Sequence, residues 1–167
     1  MDKYIRRNIF LGVILLTLFG IMMFLFYQPK YKTGDFSGYH KLDKTYKHKN
    51  YLTDKYKQLD KYKKQSRSIK LVLYKTGCSD CNQVEGSLVW QIKRARLTGQ
   101  KVVLLDINKM NSQQISEFKQ NYPNLLYQKK WISTPSVAYL KVKNNQWQVK
   151  SLSNDGELND MLKILKQ

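Results

Sequence analysis

The chain has two cysteines, Cys78 and Cys81, standing between an apolar run of strand length and a run with helical spacing. The run before them is Ile69-Lys-Leu-Val-Leu-Tyr74, and after them Val84, Leu88, Ile92 and Ala95 recur on one helix face. Strand, Cys-x-x-Cys and helix in that order put Cys78 at a helix N-terminus. Unpaired backbone N–H groups and the helix dipole favour a thiolate there. Cysteines so placed have pKa values lowered from about 8.5 to roughly 3.5–7.5. Residues i and i+3 share a helix face, so Cys81 is within reach of whatever Cys78 bonds. A thiolate can attack a disulfide, and the second thiol can then resolve the mixed disulfide.

Other uses of the cysteines fit less well. A structural zinc site takes four Cys or His ligands, and the histidines, His40 and His48, fall in a polar linker. A disulfide framework would use more cysteines, spaced farther apart. No metal and no cofactor is expected.

The alternation of elements continues. Lys101-Val-Val-Leu-Leu-Asp106 reads as a second strand and Ser112 to Tyr122 as a helix. Ser136-Val-Ala-Tyr-Leu-Lys-Val142 reads as a third strand, Asn144-Asn145 as a turn and Trp147 to Leu152 as its hairpin partner. Leu158, Met161, Leu162 and Leu165 form the face of a last helix. Ahead of the first strand, Leu52, Tyr56, Leu59 and Lys63 outline a short amphipathic helix with Thr53 as a cap.

With TGCSDC after a strand, the VVLLDIN strand, and WISTPSVAYLKVKNNQWQVKSL before the terminal helix, the chain resembles the thioredoxin family over about residues 50–167. The resemblance implies an α/β thioredoxin-like fold, a central mixed sheet flanked by helices, with Cys78 and Cys81 catalytic. It also implies a cis bond at Thr134-Pro135, with Pro135 against Cys78 and the Thr134 backbone pairing with extended substrate. Gly77, Ser79 and Asp80 would support the site.

The chain departs from the family pattern at several points. Gly77 stands where thioredoxin has a tryptophan, and Val72 where it has a buried acid. Ser79-Asp80 is neither Gly-Pro nor Pro-His. Asp80 has two readings: its charge opposes the Cys78 thiolate, or it is an acid that a first helical turn favours. The stretch between Asp106 and Pro135, with Tyr122, Tyr127 and Trp131, is longer than in the minimal fold. It implies a longer helix or a substrate-facing loop.

Residues 9–27, IFLGVILLTLFGIMMFLFY, carry no charge. As a helix they would reach ~29 Å, close to the hydrocarbon thickness of a bilayer. A cleaved signal peptide would end in small residues, whereas this run ends in Phe24, Phe26 and Tyr27. The expected organisation is a tail over 1–8, a transmembrane helix over 9–27, a Tyr/Lys-rich stalk over 28–50 and the thioredoxin-like domain over 51–167. A count of basic residues near the helix favours a cytoplasmic C-terminus, but a long following domain translocates largely regardless of charge. Persistent disulfides belong outside the cytosol, so a single-pass protein with its C-terminal domain outside is expected. Its Lys, Asn and Tyr usage suggests a Gram-positive source.

The net charge is +18, and residues 28–68 hold 12 Lys or Arg against 4 Asp or Glu. An excess of this size suits an anionic wall polymer or lipid, or reflects a compositional bias in which Lys replaces other polar residues; the charge alone does not decide between them. No nucleic-acid-binding module is legible, so nucleic acid is not an expected partner. The leading expectation is a thiol–disulfide oxidoreductase acting on the thiols and disulfides of exported proteins, served by a redox partner protein. The rivals are a non-catalytic accessory subunit of a secretion, bacteriocin-export or conjugation assembly, and a basic tethered module.

Overall fold

The computed structural model describes residues 3–26 and 35–167. It has helix α1 (Lys3–Phe26), then α2 (Ser37–Leu42), α3 (Tyr51–Lys64), strand β1 (Ile69–Tyr74), α4 (Ser79–Leu97) and β2 (Val102–Asp106). These are followed by α5 (Ser112–Asn121), β3 (Ser136–Lys143), β4 (Gln146–Ser153) and α6 (Leu158–Lys166). The sheet order is β2-β1-β3-β4. β1 pairs parallel with β2, Val72 opposite Leu104, and antiparallel with β3, Val72 opposite Val137. This mixed four-stranded sheet with helices on both faces is consistent with the expected thioredoxin-like fold.

Alternation along the strands separates two cores. Val72, Tyr74, Val102, Leu104 and Val137 face α2, α4 and α6. Leu71, Leu73, Val103, Leu105 and Leu140 face α3 and α5. Both faces of β1 and β2 are covered, so these strands read as near-continuous apolar runs, broken by the buried Lys70 and Asp106. Each fully buried Leu or Val contributes roughly 1.5–3 kcal/mol.

The N-terminal side of the domain differs from the expected stalk. From Phe36 onward the chain is packed into the domain. Tyr39 is fully buried and its ring stacks on Tyr74 at 4.5 Å. Glu85 of α4 accepts hydrogen bonds from the Gly38 and Tyr39 N–H groups, at 2.8 and 3.2 Å. Asp43 is buried with Lys55, their ion pair 2.5 Å long, and accepts from the Tyr51 hydroxyl. Residues 35–43 therefore complete a core that the sheet and α4 leave open. Helix α3 starts at Tyr51 with Asn50, not Thr53, at its N-cap position, and buries Lys55 beside Leu52 and Leu59.

Helix α1 covers the expected membrane segment up to Phe26, while Tyr27 lies outside the described residues. Phe10, Leu15, Leu16, Leu18 and Phe19 on it are exposed. Among the described residues no helix is long and apolar enough to cross a membrane.

Candidate active site

Gly77 makes the turn from β1 into α4 at φ +89°, a left-handed conformation that a side chain would strain. Cys78 follows as the N-cap of α4, its Sγ accepting from the Cys81 N–H at 3.4 Å. Cys78 is half-buried, whereas Cys81 is fully buried, and both are free thiols. An attacking partner from solvent thus meets Cys78 first. Burial, with Cys78 alongside, pushes the Cys81 thiol up to about 12.

Across from the cysteines, the Thr134–Pro135 bond is cis and Pro135 is buried. Cys78 Sγ lies 3.6 Å from the Thr134 carbonyl and 3.9 Å from its hydroxyl. The fold thus brings Cys78, Cys81 and Thr134 together, although 56 residues separate Cys78 from Thr134. Ser79 and Asp80 are exposed in the first turn of α4, where the Ser79 hydroxyl donates to Asp80 Oδ1 at 3.2 Å.

Other residues around the site were not legible as such. Asp106, fully buried at the end of β2, accepts from the Thr76 N–H at 3.1 Å and from its hydroxyl at 2.6 Å. The Thr76 hydroxyl proton is thereby committed to Asp106. Thr76 Oγ1 can then only accept from His40 Nε2, 3.3 Å away, which makes Nε2 the protonated nitrogen. Burial holds His40 below the ordinary histidine value, against the opposing pull of Asp106. This chain of contacts fixes the 75–77 loop that carries Cys78. On the other side, the Tyr39 hydroxyl donates to the Cys81 carbonyl at 3.2 Å. Burial raises Glu85, and its second oxygen is buried without a partner. No spacing in the sequence pointed to these contacts, because their partners come from segments dozens of residues apart.

The long stretch after β2 forms a 3₁₀ turn (Ile107–Lys109), α5, a second 3₁₀ turn (Pro123–Leu125) and a tight turn closed by a Tyr127–Trp131 bridge. Among the described residues no group of three or more His, Cys, Asp or Glu side chains could hold a metal ion.

No family model matches the chain, and no curated protein matches it. A solved structure that it resembles is the crystal structure of a disulphide isomerase from Xylella fastidiosa Temecula1. The two are 23% identical with a TM-score of 0.46, over 72% of this chain and 89% of that one.

Proposed function

We propose that this chain is a thiol–disulfide oxidoreductase held at the outer face of a membrane, exchanging disulfides with exported proteins. The observation that carries the reading is the half-exposed Cys78 sulfur at the head of α4, 3.6 Å from the Thr134 carbonyl, with Cys81 buried behind it. In the reducing direction the Cys78 thiolate attacks a client disulfide. A Cys78–client bond forms and one client thiolate leaves. Cys81, on losing its proton, attacks the Cys78 sulfur, closing Cys78–Cys81 and releasing the second client thiol. The dithiol loses two electrons and the client disulfide gains them. The oxidising direction is the same sequence reversed. A client segment running past Thr134 and Pro135 would pair with the Thr134 backbone and so present its sulfur to Cys78.

The tether is part of the proposal. Its support is the uncharged 9–27 run and the exposed apolar side chains of α1, although no helix among the described residues is long and apolar enough to cross a membrane. External protease on intact cells should digest the domain and leave a small membrane-bound stub. A domain protected until lysis would reverse the orientation.

The chemistry is tested by trapping in cells. Cys81→Ala should accumulate mixed disulfides through Cys78, because attack proceeds and resolution does not. Cys78→Ala should accumulate far fewer. Equal trapping by the two variants, or none by either, would favour the accessory-subunit reading.

A further inference from the structure

The stretch between β2 and β3 does more than connect them. With the cysteine loop it encloses a groove of about 300 Å³, lined by Lys75 and Thr134 among others. Met110, Ile115 and Ile132 give it apolar walls, and Trp131 lies at its side. Thr134 is both a wall of this groove and the group 3.6 Å from Cys78 Sγ, so the groove and the cysteine pair share one residue.

Trp131 is 55% exposed, a large apolar surface left in water. Its backbone is nevertheless held in place. Its carbonyl accepts from the Tyr127 N–H at 2.7 Å, and its own N–H donates back to Tyr127 at 3.1 Å. The Lys119 and Lys130 ammonium groups lie 5.4 and 5.2 Å from its ring. A fixed, exposed aromatic beside an apolar groove is a low-entropy binding surface. The charge around it has one sign: Lys75 and Lys119 line the groove, and no acid does.

We infer that this groove is a client subsite. It takes an extended segment of the polypeptide that carries the reacting disulfide. One apolar or aromatic side chain sits against Met110, Ile115 and Trp131, and an acidic neighbour lies over Lys75 and Lys119. The inference rests on the thiol-exchange reading above and adds to it the class of client preferred. Two observations select a polypeptide of this chemistry: Thr134, which lines the groove and faces Cys78, and the groove's wholly basic charge.

The test uses the full-length Cys81→Ala chain in detergent. Its probes are glutathione disulfide and three short peptides, each with one cysteine joined to glutathione. The first peptide carries Trp and two Glu close to the cysteine. The second has Ser in place of Trp, and the third has Lys in place of Glu. In each reaction Cys78 bonds the peptide sulfur and glutathione thiol leaves, as mass spectrometry would record. Every rate is divided by the rate of the same chain with glutathione disulfide. The first peptide should exceed the second and the third by about tenfold or more. Adding Trp131→Ser should reduce that advantage to less than threefold. Equal normalised rates for all three peptides would overturn the subsite while leaving thiol exchange standing. Failure of Cys78 to react even with glutathione disulfide would overturn the exchange reading, and the subsite with it.

Discussion

The Gly38 N–H donates to Glu85 Oε1 at 2.8 Å, and a Cβ on Gly38 would stand 2.9 Å from that oxygen and 2.9 Å from Val89 Cγ2. The approach of α2 to α4 therefore depends on a missing side chain. Gly38→Ala gains up to ~1 kcal/mol of helix propensity. Overpacking costs about 1–3 kcal/mol. We expect a net loss and a melting temperature lower by about 3–8 °C. A melting temperature at or above that of the unmodified chain would show that α2 can shift without cost.

Glu85 offers a charge-specific test. Its carboxyl is raised by burial, so its ionised form is disfavoured in the folded chain. The sign follows from linkage: the folded state binds the proton more tightly, so stability falls as pH rises from the unfolded carboxyl value through the folded one. Glu85→Gln keeps an acceptor for Gly38 and removes the charge. Thermal melts should find it at least as stable as the parent at pH 7.5, with the gap closing by pH 4. Glu85→Ala, which strands two N–H groups, should lose about 1–3 kcal/mol. Equal losses in Gln and Ala would mean that the ionised carboxylate is the favoured form.

Asp43 and Lys55 form a buried pair, with side chains 1% and 4% exposed. Removing one partner strands the other away from water. Asp43→Ala should therefore cost about 3–5 kcal/mol, read from the denaturation midpoint of the full-length chain. Asp43→Leu combined with Lys55→Met, which leaves no buried charge, should recover most of that loss. A double variant as unstable as Asp43→Ala would show that the surrounding hydrogen bonds, rather than the charge, dominate.

These contacts also mark where the sequence was readable and where it was not. The strands at 69–74, 102–106 and 136–143 announced themselves as apolar runs, and α4 by its spaced Val84, Leu88, Ile92 and Ala95. Their signals are long and local. Helix α2 has six residues, interrupted by Gly38 and set among lysines, so Tyr39 carries no period that could distinguish it from a linker. Glu85, Asp43 and Lys55 carry no mark of burial in the sequence, because burial is decided by partners elsewhere in the chain, 47 residues away for Glu85 and Gly38. The meeting of Cys78 with Thr134 was expected only through the resemblance to the thioredoxin family. The groove beside them was not, since separate stretches form it.

In the proposed exchange, the buried Cys81 thiol, pushed up to about 12, sets the pH dependence of the resolving step. A mixed disulfide removes the Cys78 contribution but leaves burial, the largest cause. The resolving rate, followed by stopped-flow on a preformed mixed disulfide, should then rise about tenfold per pH unit between pH 7 and 9, as the thiolate fraction does. A plateau below pH 8 would mean that Cys81 ionises far more readily than its surroundings suggest.

The unequal burial of the two sulfurs also decides how the pair meets peroxide. Peroxide from solvent would meet Cys78 first and convert it to a sulfenic acid, with Cys81 one helical turn away to condense with it. Injury at this site therefore ends in a disulfide that a thiol can reopen, instead of climbing to the irreversible sulfinic and sulfonic acids. A chain lacking Cys81 has no such refuge, so its Cys78 should be lost permanently at peroxide exposures from which the intact pair recovers.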